Sequence, residues 1–68
     1  MTNEELLATA EVALFKASRQ KQDAVDLQRA INTLSHCVRN NLIDSIDFAR
    51  AVLLTEIEEL QFLSHKTT

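Results

Sequence analysis

The chain contains no glycine and no proline, residues that ordinarily make up about 7% and 5% of a protein. Without glycine, a turn that needs positive φ must use a residue that is strained there. Without proline, nothing in the sequence forces a helix to stop. Tyrosine and tryptophan are also missing, and three phenylalanines are the only aromatic side chains. The single cysteine, Cys37, excludes an internal disulfide and falls far short of a zinc ligand set. No apolar run approaches the roughly 18 residues of a membrane span, and no charged-then-apolar leader opens the sequence. The expectation is a cytoplasmic protein with no membrane contact, and the lone thiol agrees with a reducing compartment.

What is present is apolar and helix-forming. Of 68 residues, 46% are hydrophobic, β-branched runs are few, and the class that follows is all-α. Residues 1–68 are read as one small helical domain, with 65–68 as a disordered tail. A chain this short buries only about 60% of the surface that it exposes when unfolded. Chains of this size usually add a disulfide, a metal or a partner, and here association is the remedy left. The net charge is −3, with acids at Glu4, Glu5 and Glu11 and again at Glu56, Glu58 and Glu59. The basic residues are scattered apart from Lys16, Arg19 and Lys21. A nucleic-acid binder normally shows a basic stripe and stacking aromatics, so DNA or RNA is the less favoured partner.

Thr2 followed by Glu5 forms a capping box that opens the first helix. With Ala10 at heptad position a, Ala10, Ala17, Ala24, Ile31 and Val38 fall at a, and Leu6, Ala13, Gln20, Leu27 and Leu34 fall at d. An apolar repeat every 3.5 residues is the seam of a helix packed alongside another. The phase holds from Leu6 to Val38, with Gln20 the only polar residue in it. Two arrangements fit: one helix over about 4–39, or two helices with a break near 18–23. Arg19, Gln20 and Lys21 are good helix formers, which favours continuity. Asp23 and Asp26 resemble a second N-terminus. Gln20 either fixes register as a buried polar residue or marks the break.

Residues 40–44 are the clear loop. Asn40 and Asn41 are the best available residues for a left-handed helix cap. Asp44 or Ser45 then caps a last helix over about 45–64, with Asp47 in its first turn. Ile46, Ala49, Leu53, Ile57, Leu60 and Leu63 form one face of that helix. Its centre, residues 48–54, is apolar almost all round, interrupted by Arg50.

The stretch LIDSIDFA (42–49) resembles, around Asp44-Ser45-Ile46-Asp47, the place where acyl carrier proteins hold a phosphopantetheine arm. The resemblance covers about ten residues. It implies Ser45 as the attachment point, with Glu56, Glu58 and Glu59 facing partner enzymes. The chain departs from that family in three ways. Only 23 residues follow Ser45, too few for the family's later helices. The loosely structured stretch with glycines that precedes the family's serine is absent, and the upstream segment is strongly helical. Ser45 is read as a helix cap, and no cofactor is expected.

His36 and Cys37 are sequence neighbours, about 100° apart around a helix, and cannot pair as base and nucleophile. His36 is read as solvated, Cys37 as a half-buried apolar filler, and His65 as part of the tail. With no acid–base pair, metal set or phosphate loop, no catalytic residue is assigned and the chain is not read as an enzyme.

Both helices carry more apolar surface than one face. Ala8, Val12 and Phe15 lie opposite the first seam, and Phe48, Val52 and Phe62 lie off the second. A fully buried Phe or Val is worth roughly 1.5–3 kcal/mol, so such residues invite a partner. The expected architecture is a helical hairpin that dimerises into a four-helix bundle; the alternative is a three-helix bundle with the break near 18–23. The core and association seam is Leu6, Ala10, Ala13, Ala17, Leu27, Ile31, Leu34, Val38, Leu53, Ile57 and Leu60. The candidate partner surface is Val12, Phe15, Phe48, Val52 and Phe62. The expected function is non-catalytic protein binding by a small adaptor, regulator or inhibitor of bacterial or phage type, partnered by itself or a helical target. Two alternatives stand beside it: a small co-chaperone that heterodimerises with a helical client, and a DNA- or RNA-associated regulator acting through Lys16, Arg19 and Lys21.

Overall fold

Helix α1 (Asn3–Arg19) opens on the expected capping box. The Thr2 hydroxyl accepts the Glu5 N–H at 3.1 Å, and the Thr2 N–H donates to the Glu5 carboxylate at 3.1 Å. The computed structural model describes residues 1–66, with side chains as far as Phe62. Over that range the chain is all-α: α1 is followed by α2 (Val25–Arg39) and α3 (Ile43–Lys66), packed as a three-helix bundle.

The continuous helix over 4–39 does not form, because the chain turns at residues 20–24. Gln20 is the C-cap and is exposed, so it marks the break and sets no register in a seam. Lys21 takes φ 56 in the left-handed region. The Gln22 N–H donates to the Ala17 carbonyl at 2.9 Å and the Lys21 N–H to the Ser18 carbonyl at 3.1 Å. This 6→1 and 5→2 pair is a Schellman motif, which satisfies carbonyls left over at the helix end. Asp23 then accepts the Val25 N–H at 3.1 Å, covering a free donor at the start of α2. The heptad phase survives the turn because Ala17 and Ala24 both face inward, one at the end of α1 and one beside the start of α2.

The second turn repeats the same solution. Asn41 has φ 56, the Leu42 N–H donates to the Cys37 carbonyl at 2.9 Å, and the Asn41 N–H to the Val38 carbonyl at 3.2 Å. The expected left-handed asparagine is there, but α3 starts earlier than expected. The Leu42 carbonyl accepts the Ser45 and Ile46 N–H groups at 3.0 and 3.1 Å. Asp44 and Ser45 therefore sit inside the first turn and do not cap it, and Asp47 lies beyond that turn. Asp44 still stands where the helix dipole favours a negative charge. At the far end α3 is helical through Lys66. Of the expected tail at 65–68, Thr67 and Thr68 lie outside the described residues, as do the side chains of Leu63 and His65.

Leu6, Leu27, Leu34 and Leu53 are fully buried at the centre. Ala10, Ala30, Ile31, Cys37, Ala49 and Ile57 surround them, with Leu7, Ala13, Leu14, Ala24, Ile46, Val52 and Leu60 packed at the edge. Helices α2 and α3 pack most extensively, and α1 lies more lightly on both. Composition explains the difference: α1 buries one leucine and two alanines, whereas α2 buries two leucines and an isoleucine as well as Ala30 and Cys37. Apolar stabilisation scales with the area removed from water. Val38, expected in the seam, is 37% exposed, and its neighbour Cys37, at 4%, takes the core position. Val38 lies in the last turn of α2.

Arg50, the polar residue in the apolar centre of α3, is turned towards α1. Its guanidinium reaches across to the start of α1, donating to the Asn3 side-chain carbonyl at 2.6 Å and to the Met1 backbone carbonyl. This contact ties the start of α1 to the early part of α3, and the two turns between them make the helices parallel. Folding α1 back in this way covers its Leu6, Ala10 and Ala17 face and leaves Val12 and Phe15 exposed.

Candidate functional site

The chemistry-bearing side chains are kept apart. Cys37 is buried in the core. His36 is exposed, its ring Nδ1 3.1 Å from the Asn40 amide nitrogen, which also donates to the His36 carbonyl at 2.9 Å. Ser45 is exposed on the first turn of α3. Among the described residues no group of three or more His, Cys, Asp or Glu side chains is placed to hold a metal. Among the described residues no helix is long and apolar enough to cross a membrane.

The aromatic side chains are the conspicuous feature of the surface. Phe15 is 62% exposed, Phe48 75% and Phe62 62%, and these are all the aromatics in the chain. A core of four leucines with smaller neighbours is thus complete without them. Of the other two candidate surface residues, Val12 is exposed on α1. Val52 is partly buried against the core.

Local geometry separates these side chains into three places. On the outer side of α1 the Arg19 guanidinium lies 5.8 Å from the centre of the Phe15 ring, within cation–π range. Between α2 and α3, Phe48 and Val52 line a shallow groove of about 290 Å³ with Asp26, Arg29, Thr33 and Glu56. Between α1 and α3 a larger groove of about 900 Å³ is lined by Val12, Ala13, Lys16 and Ala17 on one helix and Leu60, Gln61 and Phe62 on the other, closed by Gln20 and Gln22 of the turn. That groove exists because Ala13 and Ala17 are too small to fill the space between the two helices. Their spacing placed both alanines in the seam, but the groove appears only once α1 is folded onto α3. Ile43 is 69% exposed at the start of α3. Nothing in the helical periodicity singled it out, because the expected loop included it.

The charges are segregated. Residues 43–62 carry Asp44, Asp47, Glu56, Glu58 and Glu59 against Arg50 alone, and Arg50 is turned towards α1. The crowding is felt at Glu56, whose carboxyl is raised above the ordinary range by partial burial, then by the neighbouring charges of Glu59 and Asp26. At the start of α1 the opposite holds. The Thr2 backbone N–H, then its hydroxyl, favour the ionised form of Glu5 and lower its pKa. Of the basic trio, Lys16 lines the α1–α3 groove, Arg19 lies over Phe15, and Lys21 is at the turn. Together these surfaces offer apolar contact and charge. No protein-family model matches the sequence, and no curated protein or solved structure matches it.

Proposed function

We propose that the protein is a non-catalytic protein-binding module, an adaptor, regulator or inhibitor that offers exposed aromatic side chains on a rigid helical frame. One observation carries the reading: every phenylalanine is on the surface, although phenylalanine is among the residues most often buried. Aromatic residues are enriched at protein interfaces and in their hot spots. Phe15 and Phe48 are held on regular helices, so little conformational freedom is lost when they dock.

The co-chaperone reading leans on an unfinished core, and a bundle closed around Leu6, Leu27, Leu34 and Leu53 gives it less support. The nucleic-acid reading needs a basic stripe, and Lys16, Arg19 and Lys21 make only a short basic cluster at the end of α1 and the turn after it.

The test compares wild type with the Phe15→Ala/Phe48→Ala double variant. Each chain is immobilised and exposed to extract of the source cells, and the bound proteins are identified and quantified. The expected result is a species retained by wild type at fixed stoichiometry and lost by the double variant, whose helical circular dichroism is unchanged. Identical profiles for the two chains would refute the reading.

A further inference from the structure

We infer that the α1–α3 face is a contact between two copies of this chain, in which the basic side of the groove on one copy meets the acidic side on the other. The inference stands apart from the protein-binding reading, which keeps Phe15 and Phe48 for a different protein.

The argument begins with continuity. Phe62 lines the groove with Val12 and Lys16, and it also borders a hollow with Thr55, Glu58 and Glu59. Phe62 therefore joins the groove that Lys16 and Val12 line on α1 to the hollow that Glu58 and Glu59 border on α3. Lys16 thus stands on one side and two carboxylates on the other, with apolar side chains and Thr9, Gln20, Gln22 and Gln61 lining the groove.

A two-fold axis running along the groove exchanges those edges. It lays α1 of one copy over α3 of the other and keeps all four helices parallel, so that each contact occurs twice, as an isologous interface requires. The Arg50–Asn3 contact fixes the relative height of the two helices. Advancing equally from both residues brings Lys16 level with position 63, about one 5.4 Å helical turn from Glu59. A lysine side chain spans that distance. Lys16 of each copy then faces Glu58 and Glu59 of the second copy, while Val12 and Phe62 fill the shared groove. Ala13 and Ala17 line that groove and allow close approach.

The four helices at the centre of such a dimer would be two copies of α1 and two of α3. This recovers a four-helix arrangement, although not from hairpins.

The test is sedimentation equilibrium of the full chain, alone and as charge-reversed variants at exposed positions, with far-UV circular dichroism as the control for folding. Wild type is expected to form a species of twice 7.7 kDa that weakens as salt is raised. K16E alone and E58K/E59K alone each place like charges in both contacts, and each should weaken the dimer by at least about tenfold. An equimolar mixture of the K16E chain and the E58K/E59K chain should dimerise again, because both contacts in that heterodimer pair opposite charges. A wild-type chain that stays monomeric would overturn the inference. So would a dimer that salt strengthens or that both variants keep, or a mixture no more associated than its components.

Discussion

Replacing Lys21 with glycine should make the protein more stable. In the fold described, Lys21 sits at φ 56 as the left-handed residue of the turn between α1 and α2. A non-glycine residue held there is disfavoured by about 1–2 kcal/mol. Glycine removes that strain, and its greater freedom in the unfolded chain gives back about 0.5–1 kcal/mol. The net gain is about 0.5–1 kcal/mol, equivalent to roughly 2–8 °C in melting temperature for a domain of this size. Asn41 has the same φ, but asparagine tolerates it better, so Asn41→Gly should give a smaller gain. The assay is thermal melting followed by circular dichroism, at one low protein concentration so that self-association does not contribute. The sign decides between two folds. If residues 4–39 were one helix, glycine at 21 would cost about 1 kcal/mol, and a lowered melting temperature would refute the turn and the bundle built on it.

Three further outcomes follow. Leu34→Ala should cost about 2–5 kcal/mol as a core truncation, most of the roughly 3–10 kcal/mol available to a domain of this size, and the cooperative melt should be lost or nearly so. Phe15→Ala and Phe48→Ala should each move stability by no more than about 0.5 kcal/mol, measured by urea titration. Lowering the pH should weaken the start of α1: the folded pKa of Glu5 is depressed, so its contribution is complete above the ordinary glutamate value of about 4.3 and disappears as pH falls through the depressed value. Glu56 acts in the opposite sense, because its folded pKa is raised and protonation favours the folded state. Thr2→Ala should therefore reduce the acid sensitivity of amide exchange in the first turn of α1, whereas Glu56→Gln should reduce the compensating gain.

Much of the core was legible because each helix keeps one apolar stripe. Leu6, Ala10, Ala17, Leu27, Ile31, Leu34, Leu53 and Ile57 are buried as their spacing requires, and the capping box of Thr2 and Glu5 is in place. The first turn was harder to read because its signals compete. Gln20 and Lys21 favour helix by propensity, Asp23 favours a start, and the inward-facing Ala17 and Ala24 keep the heptad phase across the break. What ends α1 is backbone hydrogen bonding around a left-handed lysine, which leaves no mark in a sequence without glycine. The exchange of Val38 for Cys37 depends on which neighbouring chain covers the last turn of α2, and Val52 depends on the α2–α3 packing. Neither is a property of one helix. Phe15, Phe48 and Phe62 stood out by falling off the stripes; the groove beside Phe62 required the fold.

The account rests on a leucine core with its aromatics left outside, and solvent paramagnetic relaxation measures that directly. A soluble gadolinium chelate is added to dilute, isotopically labelled protein, and relaxation of the phenylalanine ring protons is compared with that of the leucine methyls. The account predicts strong relaxation of Phe15 and Phe48 and protection of Leu6, Leu27, Leu34 and Leu53. Phenylalanine rings as protected as those leucines would contradict it, because the aromatics would then belong to the core and could not be the surface on which a partner docks.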